Sequence, residues 1–307
     1  MSEGLSKVSV IVPTLNAGLA FHKLIESLQA QTVFVRDIQI VDSESDDGTG
    51  ETARRLGCSV TLVPRKSFDH GATRNLGAAM ASGDILVFLT QDALPISRDF
   101  IARLVAPIDG RLTAASYARQ LPAPKATPTE AFAKLYNYPP ESSSSHISRV
   151  QRRTLRTFFF SNAASAISRA CFEKVGRFPT PVPTNEDMLL CARLMDAGYQ
   201  IAYVAEAEVI HSHEFSLGEV CRRYFRIGTV AREHQAMLRV ERNAGEGLDF
   251  VRRQIAHLRR IGCSRSIPGA IVEAGAKALA FYCGYARRSR PGAGDPQSAV
   301  VSRIHVS

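Results

Sequence analysis

The chain has 307 residues, 45% hydrophobic and 22% charged, a balance that suits a globular protein with a large core, in one domain or two intimate halves, and excludes a disordered chain. Its net charge of +9 is uneven, −1 over residues 1–120, +4 over 121–200 and +6 over 201–307. Only the second half therefore invites an anionic partner, with a plain solvated basic surface as the alternative.

Six scattered cysteines with no C-x-x-C pair, and no secretory leader ahead of "MSEGLSK", predict reduced core thiols in a cytoplasmic protein. No apolar run reaches the roughly 20 residues of a spanning helix.

From residue 8 to 119, short β-branched runs alternate with helical stretches. A strand at Val8–Val12 precedes a helix over 17–31, and a strand at Ile38–Val41 precedes one over 49–56. Cys58–Val63 then precedes a helix over 72–81, Asp84–Thr90 precedes one over 97–105, and "LTAASYA" closes the set. Continuous apolar strands separated by helices predict a doubly wound α/β unit, whose ligands lie beyond the carboxyl ends of its strands. Those ends carry Thr14 and Asn16 in "PTLNAG", Asp42 in "DSESDDGT", Asp69, His70 and Arg74 in "RKSFDHGATRN", and Gln91 and Asp92 in "TQDA". Any one of them suits a helix cap, yet four successive loops gather donors and acceptors along one edge. Neither G-x-G-x-x-G nor G-x-x-x-x-G-K-S/T is present, which removes the main support for a dinucleotide or P-loop site.

The prolines and serines of "LPAPKATPTE" and "NYPPESSSSHISR" predict a mobile loop, either a lid over substrate or a surface connector. Arg149, Arg152, Arg153 and Arg156 have the spacing of one helical face, open to phosphate or to solvent. "FFFSNAASAISRACFEKVGRF" predicts an apolar strand ending at Ser161 and Asn162, a second strand, and a helix from near Arg169. Glu186 and Asp187 open a helix, a place where the dipole favours carboxylates whatever their role. His211 and His213, two apart on an extended segment, point the same way, although H-x-H alone is a poor metal signature. Beyond them, Ser216 and Glu219 form a capping box for a helix to about Val240, followed by helices over 246–261 and 268–286 and the basic "RRSR". An apolar helix ending in a basic cluster suits the face of an anionic bilayer, or a polyprenyl-pyrophosphate acceptor held there. Packing on the core or on a second subunit, in a homo-oligomer, is the alternative.

The ordered series "VSVIVPTLNAG", "IVDSESDDGT", "HGATRNLGAAMASGDILVFLTQDA", "SNAASAISRACFEKVGRF" and "NEDMLLCARLMDAGYQIAYVAEAEVIHSH" resembles glycosyltransferase family 2, inverting enzymes of the GT-A fold that use nucleotide sugars. Within it, "FDHGATRN" with "TQDA" is similar to rhamnosyltransferases. The resemblance implies an α/β GT-A fold with a doubly wound, mostly parallel central sheet flanked by helices. It divides the chain into a GT-A domain at 1–215 (nucleotide-sugar half 1–120, acceptor and catalytic half 121–215) and a helical C-terminal region at 216–307. The implied reaction is metal-dependent transfer of L-rhamnose from dTDP-L-rhamnose to a hydroxyl of a saccharide or polyprenyl-diphosphate-linked acceptor in surface polysaccharide synthesis. It would take place in the cytoplasm or at the inner face of the cell membrane.

The resemblance implies that Thr14 and Asp42 meet the nucleoside, with Arg74 on the base or phosphates, and that Asn16, His70 and Gln91 complete the donor set. Asp92 would hold Mg²⁺ or Mn²⁺, with His211 favoured over His213 as a further ligand. Asp187 would be the catalytic base, Glu186 the fallback, and Asn162 would line the sugar pocket. One departure stands out: Gln91 and Ala93 replace acidic residues usual in the family. Another donor (UDP-galactose or UDP-N-acetylglucosamine), a nucleotidyltransferase, and a non-catalytic sugar-nucleotide-binding module are the competing readings. A nucleic-acid binder would leave Asp42, Asp92 and Asp187 unexplained, so no nucleic-acid partner is expected.

Overall fold

Along the first strand, β1 (Val8–Thr14), side chains alternate between two cores: Val8, Val10 and Val12 face one, and Ile11 faces the other. The fourth, β4 (Ile85–Leu89), repeats this, with Ile85, Val87 and Leu89 toward the first core and Leu86 and Phe88 toward the second. A strand apolar on both faces must be covered on both. The computed structural model, which describes residues 7–241 and 244–287, provides that cover. Helix α1 (Phe21–Gln29) buries Phe21, Leu24, Ile25 and Leu28 in the first core, joined by α2 (Thr49–Arg55) and α4 (Phe100–Val105). Helix α3 (His70–Met80) lies on the opposite face. With β2 (Val35–Asp42) and β3 (Ser59–Leu62), the strands run parallel in the order β3-β2-β1-β4.

The second half makes the sheet mixed. Strand β8 (Ala164–Ser168) enters antiparallel between β4 and β6 (Thr113–Leu121). β9 (Gln200–Ile210) then runs parallel to β6, and the two-residue β5 (Leu94–Pro95) pairs antiparallel with the end of β9. Between Ala118 and Arg119 the register on β9 jumps from Val204 to Glu208, a bulge closed by an Arg119–Glu208 ion pair at 2.9 Å. Helices α6 (Arg169–Lys174) and α7 (Glu186–Asp196) cover this half.

Several expectations for the middle segment are corrected. The end of the first loop segment, 128–130, is not loop but the start of α5 (Pro128–Asn137), which runs to the head of the second: Thr127 caps it and Pro128 occupies its first turn, where a helix tolerates proline. The serine run contains an edge strand, β7 (Ser143–Ser145), paired antiparallel with β9. The four arginines share no helical face, because residues 147–149 and 155–158 form separate 3₁₀ turns, with the Thr154 N–H donating to Thr157 Oγ1 at 2.9 Å to start the second. Arg153 instead pairs with Asp196 at 2.5 Å, and Arg156 lies 4.8 Å over the Tyr136 ring. The three phenylalanines form no strand; Phe158 and Phe160 are buried in the second core, and Phe159 packs edge-on against Tyr117.

The capping box at Ser216 is present and opens α8 (Leu217–Glu233). That helix stops short of Val240, and a separate turn, α9 (Gln235–Leu238), follows. Helices α10 (Ala244–Arg260) and α11 (Ile267–Ala286) are the last among the described residues. α8 and α11 touch backbone to backbone: a Cβ on Gly228 would lie 2.1 Å from Phe281 O, and one on Gly284 would lie 2.0 Å from Phe225 O. Of "RRSR", only Arg287 falls within the described residues.

Candidate active site

The loops after β1, β2 and β4 are sewn together by side chains. Thr14 Oγ1 donates to Asp42 Oδ1 at 2.7 Å, and Ser45 donates to the same carboxylate from its hydroxyl at 2.6 Å and its N–H at 3.0 Å. Asn16, held at φ 48°, accepts from the Asp46 N–H at 2.9 Å. Thr14 and Asp42 are both buried, and Asp42 Oδ2 takes only one of these bonds, so a lone pair remains for a base N–H. Gln91 clasps the Leu15 backbone from both ends of its amide, accepting from N–H at 2.8 Å and donating to C=O at 3.1 Å. A carboxylate could not donate the second bond, which accounts for an amide in a usually acidic position.

The motif "DHGATRN" latches α3 onto the segment that delivers the acids. Asp69 caps α3 through the Ala72 N–H and also accepts from the Val182 N–H at 3.0 Å. Asn75 pairs with both backbone groups of Phe178, and Gly71 leaves no room for a Cβ, which would fall 2.5 Å from Pro179 O. Arg74, buried, forms a 3.0 Å ion pair with buried Glu186, whose carboxylate also accepts from Asn162 Nδ2 at 3.2 Å. His70 sits beside them, edge-on to Phe68, its pKa lowered by burial despite the pull of Glu186.

Asp187 is the freer acid. Its two oxygens accept from the Asn162 N–H at 3.2 Å and its neighbour Met188's N–H at 2.8 Å, and no cationic side chain among the described residues forms an ion pair with it. Burial, with repulsion from Glu186 next, pushes its pKa up to about 7. Of the adjacent carboxylates, then, Glu186 is committed to an ion pair while Asp187 is set to exchange a proton near neutrality.

Asp92 lies on the same edge, two residues past Thr90, whose N–H donates to Ala163 O beside Asn162. It faces both histidines, with Oδ1 3.5 Å from His211 Nε2 and Oδ2 3.4 Å from His213 Nε2. This contact follows from β5, which fixes Leu94 against Ile210 just before His211. The donor set suits a borderline divalent cation, all three ligand atoms lying within 4.8 Å of one another. Buried His211 Nε2 has no hydrogen-bond partner and points at a carboxylate, an arrangement that a cation between them resolves. Burial and the Lys134 charge lower the His211 pKa to about 3, which keeps the ring in the neutral, ligating form.

Four of the five buried, unpartnered side-chain polar atoms among the described residues belong to Ser43, Arg74, Thr90 and His211, all at this edge. A strand-end row of idle donors and acceptors is what a polar ligand requires. Behind His211 lie Gln120, Lys134 and Ser161, and Arg223 of α8 is close enough to depress His70, His211 and His213. The sequence pattern marked none of these four for the site.

Residues 9–176 match the description of glycosyl transferase family 2. The chain is 34% identical over 291 residues to the O-antigen chain rhamnosyltransferase RfbN of Salmonella typhimurium, covering 93% of this chain and 91% of that one. It is likewise 34% identical to the O-antigen chain rhamnosyltransferase WbaN of Salmonella anatum, over 92% and 90% of the two chains. The fold resembles that of the mannosyltransferase PcManGT from Pyrobaculum calidifontis, solved with GDP-Man and Mn²⁺, with a TM-score of 0.58 at 20% identity, covering 94% of this chain and 78% of that one. A GT-A sheet whose strand ends carry these acids and histidines, together with relatives matched nearly end to end, makes the chain a glycosyltransferase belonging to glycosyl transferase family 2.

Proposed function

We propose that the protein transfers L-rhamnose from dTDP-L-rhamnose, with inversion, to a hydroxyl of a saccharide or lipid-linked saccharide used in surface polysaccharide synthesis. The observation that carries this reading is the division of labour between the adjacent acids: Glu186 is neutralised by Arg74, and Asp187, raised to about 7, is joined through the Ser161–Asn162 segment and Gln120 to His211 of the Asp92, His211 and His213 cluster. The named relatives supply the sugar.

Thr14, Asn16 and Asp42 bind the nucleoside, and Gln91 holds their loop against the next strand end. Asp187 takes the proton from the acceptor hydroxyl as that oxygen attacks the anomeric carbon, and Asn162 orients the carboxylate through its N–H. Asp92, His211 and His213 hold Mn²⁺ or Mg²⁺, which when bound supplies charge neutralisation for the departing nucleoside diphosphate. Arg74 is spent on the Glu186 ion pair rather than left for the base or phosphates, and with His70 it secures the start of α7 that carries Asp187. The test is a thermal-shift panel with Mn²⁺. At 100 times Kd, dTDP-L-rhamnose stabilises the fold by about 2.7 kcal/mol, more than UDP-galactose or UDP-N-acetylglucosamine does. Equal shifts from all three would remove the rhamnose assignment.

The acceptor arrives at a membrane face. Among the described residues no helix is long and apolar enough to cross a bilayer, yet α11 leaves Ile271, Val272, Leu279 and Tyr282 at least half exposed. Beside it runs a groove of about 520 Å³ between α8 and α11, lined by Arg222, Arg226 and Arg287 over Phe225. Apolar side chains beside guanidiniums that form no ion pair among the described residues suit peripheral docking on acidic lipid. Flotation with phosphatidylglycerol liposomes, and none with phosphatidylcholine, is the expected outcome. Equal recovery with both would contradict it.

A further inference from the structure

We infer that Lys134 and Gln120 act as positioning residues that fix the tautomer of His211, so that its Nε2 lone pair faces the cation position. This rests on reading Asp92, His211 and His213 as the cation site.

The deduction uses only which atoms donate and which accept. A lysine ammonium donates and never accepts. Lys134 Nζ lies 2.8 Å from one end of the Gln120 amide, so that end must be the carbonyl oxygen. The other end, the NH₂ group, then donates to Ser161 Oγ at 2.8 Å. His211 Nδ1 lies 2.8 Å from the same Gln120 oxygen and, facing a carbonyl, must carry the proton of the neutral ring. Nε2 is left as the bare lone pair, 3.5 Å from Asp92 Oδ1. The 3.3 Å approach of Lys134 Nζ to His211 Nδ1 is two donors converging on one oxygen. A flipped amide would set NH₂ against both an ammonium and an N–H. Gln120 is buried, so water does not compete for these positions.

The same unit reaches the base. Ser161 precedes Asn162, whose N–H donates to Asp187 at 3.2 Å, so the glutamine that orients the metal ligand also tethers the segment orienting the carboxylate. Lys134 is itself held from outside: Phe132 and Tyr136 of α5 pack on Phe250 of α10 with ring centroids 5.4 and 5.0 Å apart. One role of the C-terminal helices is thus to seat the lysine under the cluster.

The experiment combines ¹⁵N-histidine NMR of metal-free protein, which reports the tautomer, with Mn²⁺ affinity from the EPR signal of free ion. Lys134→Met leaves the amide free to flip; it moves part of the His211 proton to Nε2 and weakens Mn²⁺ about 10-fold, the usual cost of losing a partner of a metal-bound histidine. Adding Gln120→Glu, a side chain that when ionised can only accept, restores the Nδ1–H form and brings Mn²⁺ affinity back to within about threefold. Wild-type affinity and tautomer in Lys134→Met, or no recovery in the double variant, overturns the proposal. Should Lys134→Met fail to fold, Gln120→Glu alone decides: it retains Nδ1–H and binds Mn²⁺ at least as tightly, and weaker binding overturns the proposal. Asp92→Asn separates the two levels. Unchanged Mn²⁺ binding in that variant removes the cation site itself, whereas its loss together with an indifferent Lys134→Met removes only the positioning role.

Discussion

Glu186→Gln should move the acidic limb of the pH–rate profile downward. Desolvation of the partly buried carboxyl and repulsion by the Glu186 charge push the Asp187 pKa up to about 7, while Arg74 pulls the other way. Two like charges a few ångströms apart repel by about 2–4 kcal/mol at an effective dielectric of about 20, and each 1.4 kcal/mol is about one pKa unit. The substitution removes that repulsion and leaves Arg74 uncompensated, and both effects favour the Asp187 carboxylate. Burial, the largest cause, stays. The limb in kcat/KM should therefore fall by about 1.5–3 pH units. The assay is the initial rate of dTDP release from dTDP-L-rhamnose at fixed Mn²⁺ between pH 5 and 9. Because a buried arginine stripped of its partner costs about 3–5 kcal/mol, Tm is followed in parallel. Arg74→Gln/Glu186→Gln, which removes both charges, should show a smaller shift. A folded Glu186→Gln protein whose limb stays near pH 7, or moves upward, would refute the assignment of Asp187 as the titrating base.

Stability should carry the same signature. The Asp187 pKa is raised from 3.8 to about 7, so the native state holds this proton more tightly than the unfolded chain, and stability falls as pH rises through that window. In metal-free protein, Asp187→Asn should flatten that fall and stabilise the fold at pH 8 by on the order of 1–2 kcal/mol; urea midpoints at pH 5 and 8 give the comparison. Gly284→Ala places a methyl 2.0 Å from Phe225 O and should cost about 3 kcal/mol or more, read as a lowered Tm. Asn75→Ala strips two backbone bonds from Phe178 and should cost about 2 kcal/mol by urea titration, with a reduced turnover because α3 no longer secures the segment before Glu186.

The strand ends were legible because physics writes them plainly: runs such as Val8–Val12 and Ile85–Leu89 are buried on both faces, so the residues just beyond them emerge at the sheet edge. The middle segment was less so. α5 hides behind prolines, one of which sits where a helix accepts it, and β7 is made of serines that need pair on only one side. The apolar "FFF" run mimics a strand, although Phe158 ends a 3₁₀ turn and only Phe158 and Phe160 enter the second core. Within the site, Asp92 and the two histidines were found through motif order, whereas Lys134 and Gln120 were not. Their role depends on two side chains converging on His211 from 77 and 91 residues away, a proximity with no local spacing signal.

The division of labour between the two acids is tested most directly by Asp187→Asn, with turnover and donor affinity measured on the same preparation. Loss of a general base lowers the rate by about 10²–10⁴-fold, while dTDP-L-rhamnose with Mn²⁺ should bind within a few-fold of wild type, because none of the proposed nucleoside and cation ligands is touched. Turnover within a few-fold of wild type, or loss of donor binding in place of turnover, would contradict the account.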